Sequence, residues 1–281
     1  MNILVTNDDG YTSKGIRTLA RMMRRFGDVT VISPMKHQSG MGMAVSIGLK
    51  QIRYKDLGMD ADGIRWSWLD ATPASCVKFG FNFMDPQPDV VISGINHGHN
   101  ATSAACYSGT LGAAEEAALY GTPAFGVSLD SLHTDADFSC VEALFPDLFS
   151  RLMAILPQRY GIFYNINFPD LPAELIKGVR IAHQGKGKWI KEFNEWNPDL
   201  FKRFGITPES VGLSPDPVLE EGEKMYMMVG QYVDDDENQP DADNRLLEEG
   251  FITITADNLD KTDYIENKRL INLGFNQDFK A

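Results

Sequence analysis

The chain lacks long apolar runs and is short of basic residues, and each shortage excludes a class of protein. No stretch of the sequence approaches the roughly 18 consecutive apolar residues that a membrane-spanning helix needs. The 281 residues include 26 Lys and Arg against 39 Asp and Glu, which gives a net charge of −13. Nucleic acids and anionic membranes both attract basic surfaces. We therefore expect neither as a partner.

Cysteine is scarce as well, with Cys76, Cys106 and Cys140 all in apolar or small-residue surroundings. So few thiols, odd in number, favour buried free cysteines in a reducing compartment over a disulfide framework. The first residues carry no basic region ahead of a short apolar stretch, so they do not read as a signal peptide. We expect a cytoplasmic protein.

Two common nucleotide-binding fingerprints are missing. The chain has no Gly-x-x-x-x-Gly-Lys-Ser/Thr loop, and no Gly-x-Gly-x-x-Gly follows its first predicted strand. Gly40 and Gly42 form only a Gly-x-Gly after the second strand. A dinucleotide-dependent oxidoreductase is therefore disfavoured.

The composition and the pattern of apolar residues indicate a folded α/β protein. Hydrophobic residues make up 43% and charged residues 23% of the chain, as in ordinary globular domains. Short continuous apolar runs at 3–5, 29–32, 89–92 and 123–129 alternate with helical patterns, among them an Ala-rich helix over 111–120. Strands of this kind are typical of a parallel sheet covered on both faces. We predict a doubly wound, Rossmann-like, mostly parallel sheet.

After Val179 the alternating strand and helix patterns give way to patterns typical of hairpins and loops. This change predicts that the chain has two parts. Residues 1–180 form the predicted Rossmann-like α/β core. Residues 181–281 form a predicted C-terminal extension of β-hairpins and long loops, with a strand at 251–255 and a tail that return to the core. The segment 215–260 holds 14 acidic and two basic residues, so almost all of the net charge lies outside the core.

Three polar loops follow three of the predicted strands. They are Asn7-Asp8-Asp9-Gly10, the residues 38–42 and the residues 93–100. Loops at the carboxyl ends of parallel strands meet at one edge of the sheet, where ligands bind. Adjacent Asp8 and Asp9 carboxylates repel each other unless they share a proton or a cation neutralises them. With oxygens from Ser39 and Asn96 they would form a hard-ligand set that suits Mg²⁺ or Mn²⁺. The alternative is an ordinary turn followed by an exposed cap.

A fourth polar element, Ser108-Gly109-Thr110, opens the Ala-rich helix. Unpaired N–H groups and the helix dipole make such a start suitable for a phosphate. The alternative is a plain Ser/Thr cap.

Two other metal signals are weak. His97 and His99 lie in a loop without a Cys or Glu at zinc-ligand spacing, so we expect a structural or substrate-contact role. The acidic run from Asp234 has Gln239 at the sixth and Arg245 at the twelfth position, where a calcium-binding EF-hand needs Gly and Glu. A solvated acidic loop is the better interpretation.

Taken together, these motifs resemble the SurE family (survival protein E). The resemblance rests on residues 3–11, 38–40, 88–96 and 107–110, and it extends through 165–169 and 249–255. It therefore covers nearly the whole chain. The sequence departs from the usual family pattern at Ala71 and Ser75, where Gly and Asp are usual, and at Ala256-Asp257, where Pro-Leu is usual.

The resemblance implies a metal-dependent nucleotidase, similar to acid phosphatases, that acts on nucleoside monophosphates. It implies that Asp8, Asp9, Ser39 and Asn96 bind one divalent cation per subunit. It also implies that Ser108, Gly109 and Thr110 hold the substrate phosphate, a role in which we include Asn96. The implied fold has a C-terminal hairpin extension that exchanges between subunits of a homodimer or homotetramer.

The leading hypothesis is thus hydrolysis of nucleoside 5′- or 3′-monophosphates by metal-activated water, with Asp8 and Asp9 as the catalytic residues. The alternative is a catalytically silent, nucleotide-binding regulatory module. Phosphate release from a bound monophosphate distinguishes the two.

Overall fold

The structure is a computed structural model that describes residues 1–48, 51–157, 159–204, 207–211, 213–234 and 239–276. Its strands in chain order are Asn2–Thr6 (β1), Asp28–Pro34 (β2), Tyr54–Met59 (β3), Arg65–Leu69 (β4), Val90–His97 (β5), Ala124–Leu129 (β6), Ile162–Phe168 (β7), Val179–Ile181 (β8), Lys188–Ile190 (β9), Phe193–Glu195 (β10), Tyr226–Met228 (β11), Gln231–Val233 (β12) and Ile252–Asn258 (β13). The α-helices are Lys14–Met23 (α1), Pro73–Phe83 (α2), Ala104–Tyr107 (α3), Gly109–Leu119 (α4), Ser139–Met153 (α5), Asp243–Glu248 (α6) and Tyr264–Asn272 (α7). Short 3-10 helices lie at Ala173–Leu175, Pro198–Phe204 and Pro208–Val211.

A nine-stranded sheet in the order β3-β4-β2-β1-β5-β6-β7-β13-β8 forms the centre of the molecule. The six strands from β4 to β7 are all parallel to one another. At the two sides, β3 is antiparallel to β4 and β13 is antiparallel to β7, while β8 is parallel to β13. The predicted doubly wound, mostly parallel α/β fold is confirmed.

The first strand shows why the sequence forms this sheet. Ile3 and Val5 belong to the apolar cluster that includes α1 and α5, whereas Leu4 belongs to the cluster that includes α2 and α4. Successive side chains of a strand point to opposite faces, so a strand with helices on both sides must be apolar at every position. The continuous apolar runs of the sequence follow from this double burial.

The third predicted strand is longer than expected. The prediction ended at Ile92, but β5 continues to His97, with a shift of register between Gly94 and Asn96 against β6. Polar residues do not end the strand here because β6 continues to pair with them, Asn96 opposite Ser128. Asn96 is therefore fixed by the sheet and does not lie on a free loop.

The residues after β8 form smaller units. β9 pairs with β12 and β10 with β11, each over only three residues, and both pairs are antiparallel. The strand β13 lies in the central sheet beside β7. The division into parts at residue 180 stays a prediction.

The acidic run and the cysteines differ in part from expectation. Asp234 is ion-paired with Arg245 at 2.6 Å, so it is not simply solvated. The other three residues of the run, 235–237, lie outside the described residues. Cys76 and Cys140 are buried free thiols as expected, but Cys106 is exposed because it lies on the short helix α3 at the surface.

Within the described ranges, the structure contains no helix with both the length and the apolar character that crossing a membrane requires.

Candidate active site

The turn after β1 is held by the side chain of Asn7. Its Nδ2 donates to the carbonyl of Gly10 at 3.0 Å and to Ser13 Oγ at 2.9 Å, and its Oδ1 accepts from Ser33 Oγ at 2.6 Å. Gly10 closes the turn with a φ of +93°, which glycine adopts without strain. Asp8 and Asp9 thus stand on a rigid turn at the carboxyl edge of the sheet.

Asp8 is buried directly against the start of α4. Its Oδ1 accepts a hydrogen bond from Thr110 Oγ1 at 2.6 Å. A Cβ added at Gly109 would lie 2.8 Å from Asp8 Cβ, so only glycine fits there. Burial, together with the negative charge of Asp9, raises the pKa of Asp8 to about 6. The expected metal ligand and the expected phosphate loop are therefore in contact.

Asp9 has two histidine partners. Its Oδ2 lies 3.0 Å from His97 Nδ1, and its Oδ1 lies 3.4 Å from His37 Nδ1. Burial by itself raises the pKa of Asp9, but the hydrogen bonds of His37 and His97 outweigh it and lower this pKa to about 2. The same contact raises the pKa of His37. The sequence reasoning missed both contacts, since only the fold brings residues 37 and 97 to residue 9.

The other two expected cation ligands approach the site differently. Asn96 donates through Nδ2 to the carbonyls of His97 at 3.2 Å and Gly98 at 2.7 Å, which turns its Oδ1 away from these carbonyls. Ser39 is exposed, and its neighbour Gln38 donates its backbone N–H to the Asp8 carbonyl at 2.7 Å. Ser39 is thus tethered beside Asp8, but no direct hydrogen bond joins it to Asp8, Asp9 or Asn96 among the described contacts.

A buried amide network supports the segment after Asn96. The Asn100 N–H donates to Asn167 Oδ1 at 2.7 Å, and Asn165 Nδ2 donates to the Asn100 carbonyl at 2.8 Å. Asn100 Nδ2 also donates to Ser128 Oγ at 2.8 Å. These bonds hold the segment against β6 and β7. The asparagines of the 165–169 motif are therefore supports of the site.

A buried carboxylate from the C-terminal part supports the same segment. Asp243 is fully buried and accepts hydrogen bonds from the backbone N–H groups of Thr102, Gly185 and Asn244 at 2.8–3.1 Å. Burial raises its pKa even so. No local sequence signal identified Asp243, because two of its partners, Thr102 and Gly185, are distant along the chain.

The donor atoms of the site suit a hard cation. Asp8 Oδ2, the Asp9 carboxylate and Asn96 Oδ1 are oxygens. A cation between the two carboxylates would relieve their repulsion, which adds to burial in raising the pKa of Asp8. No group of three or more His, Cys, Asp and Glu residues suited to a metal occurs in the described part of the chain. His97 contacts Asp9, whereas His99 Nε2 lies 3.9 Å from Asp130. These two histidines do not converge on a zinc site.

Comparisons with known proteins point to one family. A sequence model of the family Survival protein SurE matches residues 3–191. A 5′-nucleotidase SurE of Christiangramia forsetii is 34% identical over 267 residues, covering 92% of each chain. A 5′/3′-nucleotidase SurE of Proteus mirabilis is 32% identical over 267 residues, covering 94% of this chain and 92% of that protein.

A solved structure agrees with these sequence matches. The crystal structure of a SurE protein from Aquifex aeolicus superposes with a TM-score of 0.75 at 26% identity, covering 98% of this chain and all of that one.

Proposed function

This chain belongs to the SurE family, and from that membership and the geometry of the site we propose that it hydrolyses nucleoside monophosphates to nucleoside and phosphate. Relatives along most of its length are named 5′-nucleotidase and 5′/3′-nucleotidase. The observation that carries the proposal is the contact of the buried Asp8 carboxylate with Gly109 and Thr110 at the start of α4. A silent regulatory module is not favoured, since these relatives are named for catalysis.

The start of α4 is the proposed phosphate site. The Ser108 Oγ accepts from the Leu111 N–H at 3.0 Å, which fixes the first turn of the helix. The bare Cα of Gly109 lets the phosphate approach the N–H groups, and the helix dipole stabilises its negative charge. Thr110 and Asn96 add polar contacts. We expect these groups to bind the phosphoryl oxygens on the side facing Asp8.

Asp8, Asp9, Ser39 and Asn96 are the proposed ligands of one divalent cation per subunit, Mg²⁺ or Mn²⁺. Such a cation supplies Lewis-acid stabilisation of phosphoryl oxygens and an activated water. Thr110 fixes the orientation of Asp8, and His37 with His97 keeps Asp9 ionised and oriented. We propose water as the nucleophile, because both carboxylates serve as ligands.

The C-terminal part is the proposed assembly element. Residues 1–180 would form the catalytic core, and residues 181–281 would join subunits into a homodimer or homotetramer. Exposed Trp189, Phe193 and Met228 on the short strand pairs support this assignment, because large apolar side chains in clusters mark interfaces. We place the protein in the cytoplasm on the grounds of its few, unpaired cysteines. Light scattering of the purified protein tests the assembly.

Phosphate release tests the proposed function. The purified protein is incubated with nucleoside 5′- and 3′-monophosphates in Mg²⁺, in Mn²⁺ or in excess chelator. We expect release that chelation abolishes and that one of the two cations restores. No release from any monophosphate with either cation would reject the proposal.

A further inference from the structure

A cavity of about 300 Å³ lies beside the proposed phosphate site. Ser108 belongs to its wall and also opens α4, so the cavity and the phosphate site share a residue. Met43, Leu111 and Phe163 give it apolar surface, and Asp257 on β13 adds a carboxylate. A ligand held by its phosphate at the first turn of α4 has this cavity next to it.

Asp257 differs from the other polar groups of the cavity because its carboxylate lacks a hydrogen-bond donor among the described residues, although the charge of nearby Lys261 acts on it. The Glu115 carboxylate is ion-paired with Lys261 at 3.0 Å, and Gln184 Nε2 donates to the Thr102 carbonyl at 2.9 Å. No hydrogen bond or ion pair to the Asp257 carboxylate occurs among the described residues, although its side chain is partly buried. A partly buried carboxylate that no N–H group of the described residues contacts has acceptor capacity left for the N–H groups of a ligand.

We propose that this cavity is the base subsite of the nucleotidase site, and that the Asp257 carboxylate selects guanine by accepting both N–H groups of its Watson–Crick edge. The inference rests on the proposed function, which supplies the phosphate anchor at Ser108. The apolar surface of Met43 and Phe163 suits the faces of a planar ring. Asn258, which also lines the cavity, has an amide that can donate to a ring carbonyl.

The pattern of donors on the four bases makes this choice specific. Guanine presents two adjacent N–H donors, at N1 and N2, which match the two oxygens of one carboxylate. Adenine and cytosine present one amino donor beside a ring-nitrogen acceptor, which repels a carboxylate. Uracil presents one N–H between two carbonyls. An ionised Asp257 therefore favours guanine over the other three.

The test compares substrates with and without a base. The kcat/KM is measured for the monophosphates of guanosine, adenosine, cytidine and uridine, and for ribose 5-phosphate, in the unmodified protein and in Asp257→Asn and Asp257→Ala. Asp62→Asn is the matched control, because it removes the same charge from an exposed carboxylate near the other edge of the sheet, where it pairs with Arg21. All measurements use the cation that supports phosphate release.

We expect guanosine monophosphate to be the best of the four substrates. Asp257→Ala should lower the ratio of its kcat/KM to that of ribose 5-phosphate by roughly 10- to 100-fold, as loss of a hydrogen-bonded charged group does. Asp257→Asn should shift preference towards adenosine monophosphate, whose donor and acceptor match an amide. Asp62→Asn should leave the order of substrates as it was.

Two results would overturn the inference while the nucleotidase function stands: the four nucleotides are hydrolysed equally well, or the Asp257 variants leave their relative rates unchanged. Absence of phosphate release from every nucleotide in the unmodified protein would instead reject the proposed function and the base subsite with it. Thermal unfolding of both Asp257 variants, expected to be no less stable than the parent, checks that they fold.

Discussion

The proposed metal and phosphate site and the neighbouring cavity differ in the protein groups that contact their carboxylates. Asp8 and Asp9 are each held by protein groups, Thr110 for the first and His37 with His97 for the second. Asp257, in the cavity that Ser108 also lines, has no hydrogen bond or ion pair to its carboxylate among the described residues. In our proposal the first arrangement holds the cation that meets the phosphate, which every nucleotide carries. The second can accept hydrogen bonds from the N–H groups of a ligand, so we assign it to selection among nucleotides.

The largest effect is expected when a carboxylate is removed from the rigid turn after β1. Asp8→Asn and Asp9→Asn should each lower kcat/KM by roughly 10³-fold or more for every monophosphate, because preorganised charge at a reacting centre is worth at least that much. Phosphate release measures the loss, and circular dichroism checks the fold. Substantial activity in either variant would remove that carboxylate from the catalytic site.

The next largest effect is expected where α4 meets Asp8. Gly109→Ala places a Cβ 2.8 Å from Asp8 Cβ and 3.2 Å from the Gln38 carbonyl, so the helix start must shift. A displacement of this kind should lower kcat/KM by about 10²-fold. Steady-state kinetics on guanosine and adenosine monophosphates should show the same loss for both. A loss confined to one base would place Gly109 in the base subsite instead.

Ser108 belongs to both sites. Its substitution should have a smaller effect, which is seen in both stability and activity. Ser108→Ala removes the cap that accepts from Leu111 and should cost about 1 kcal/mol of unfolding free energy. It should also lower kcat/KM about tenfold, through a less ordered first turn of α4. Ser108→Thr keeps the hydroxyl and should restore most of both. Urea unfolding and phosphate release measure the two effects, and lost stability with full activity would contradict the proposed role.

The smallest effect concerns the charge state of Asp257. Burial, then the negative charges of Asp243 and Glu115, raises its pKa to about 7, and Lys261 opposes the shift. As pH rises from 6 to 8, the carboxylate ionises and matches guanine better, whereas its neutral acid form matches adenine. The ratio of kcat/KM for guanosine over adenosine monophosphate should therefore rise several-fold in the parent and stay flat in Asp257→Asn. Groups at the phosphate site affect both substrates alike and cancel in this ratio.

Local patterns in the sequence predicted much of the fold and the first site. The double burial of β1 appears as a continuous apolar run, and the start of α4 appears as Ser108-Gly109-Thr110, so both could be read directly. The contacts of His37 and His97 with Asp9 could not, because residues 9, 37 and 97 meet only when three parallel strands are in register. The role of Asp243 was missed for the same reason, and Asp257 was noted only as a departure from the usual family pattern. Their roles depend on where the C-terminal strand and helix return to the core.

The separation of the two sites is tested most directly by one ratio, kcat/KM for guanosine monophosphate over kcat/KM for ribose 5-phosphate, in the parent, Ser108→Ala and Asp257→Asn proteins. The phosphate site serves both substrates equally, so the ratio should be unchanged in Ser108→Ala. The base subsite serves only the nucleotide, so the ratio should be strongly lowered in Asp257→Asn. Equal ratios in all three proteins, with guanosine monophosphate hydrolysed by each, would contradict the assignment of base selection to Asp257.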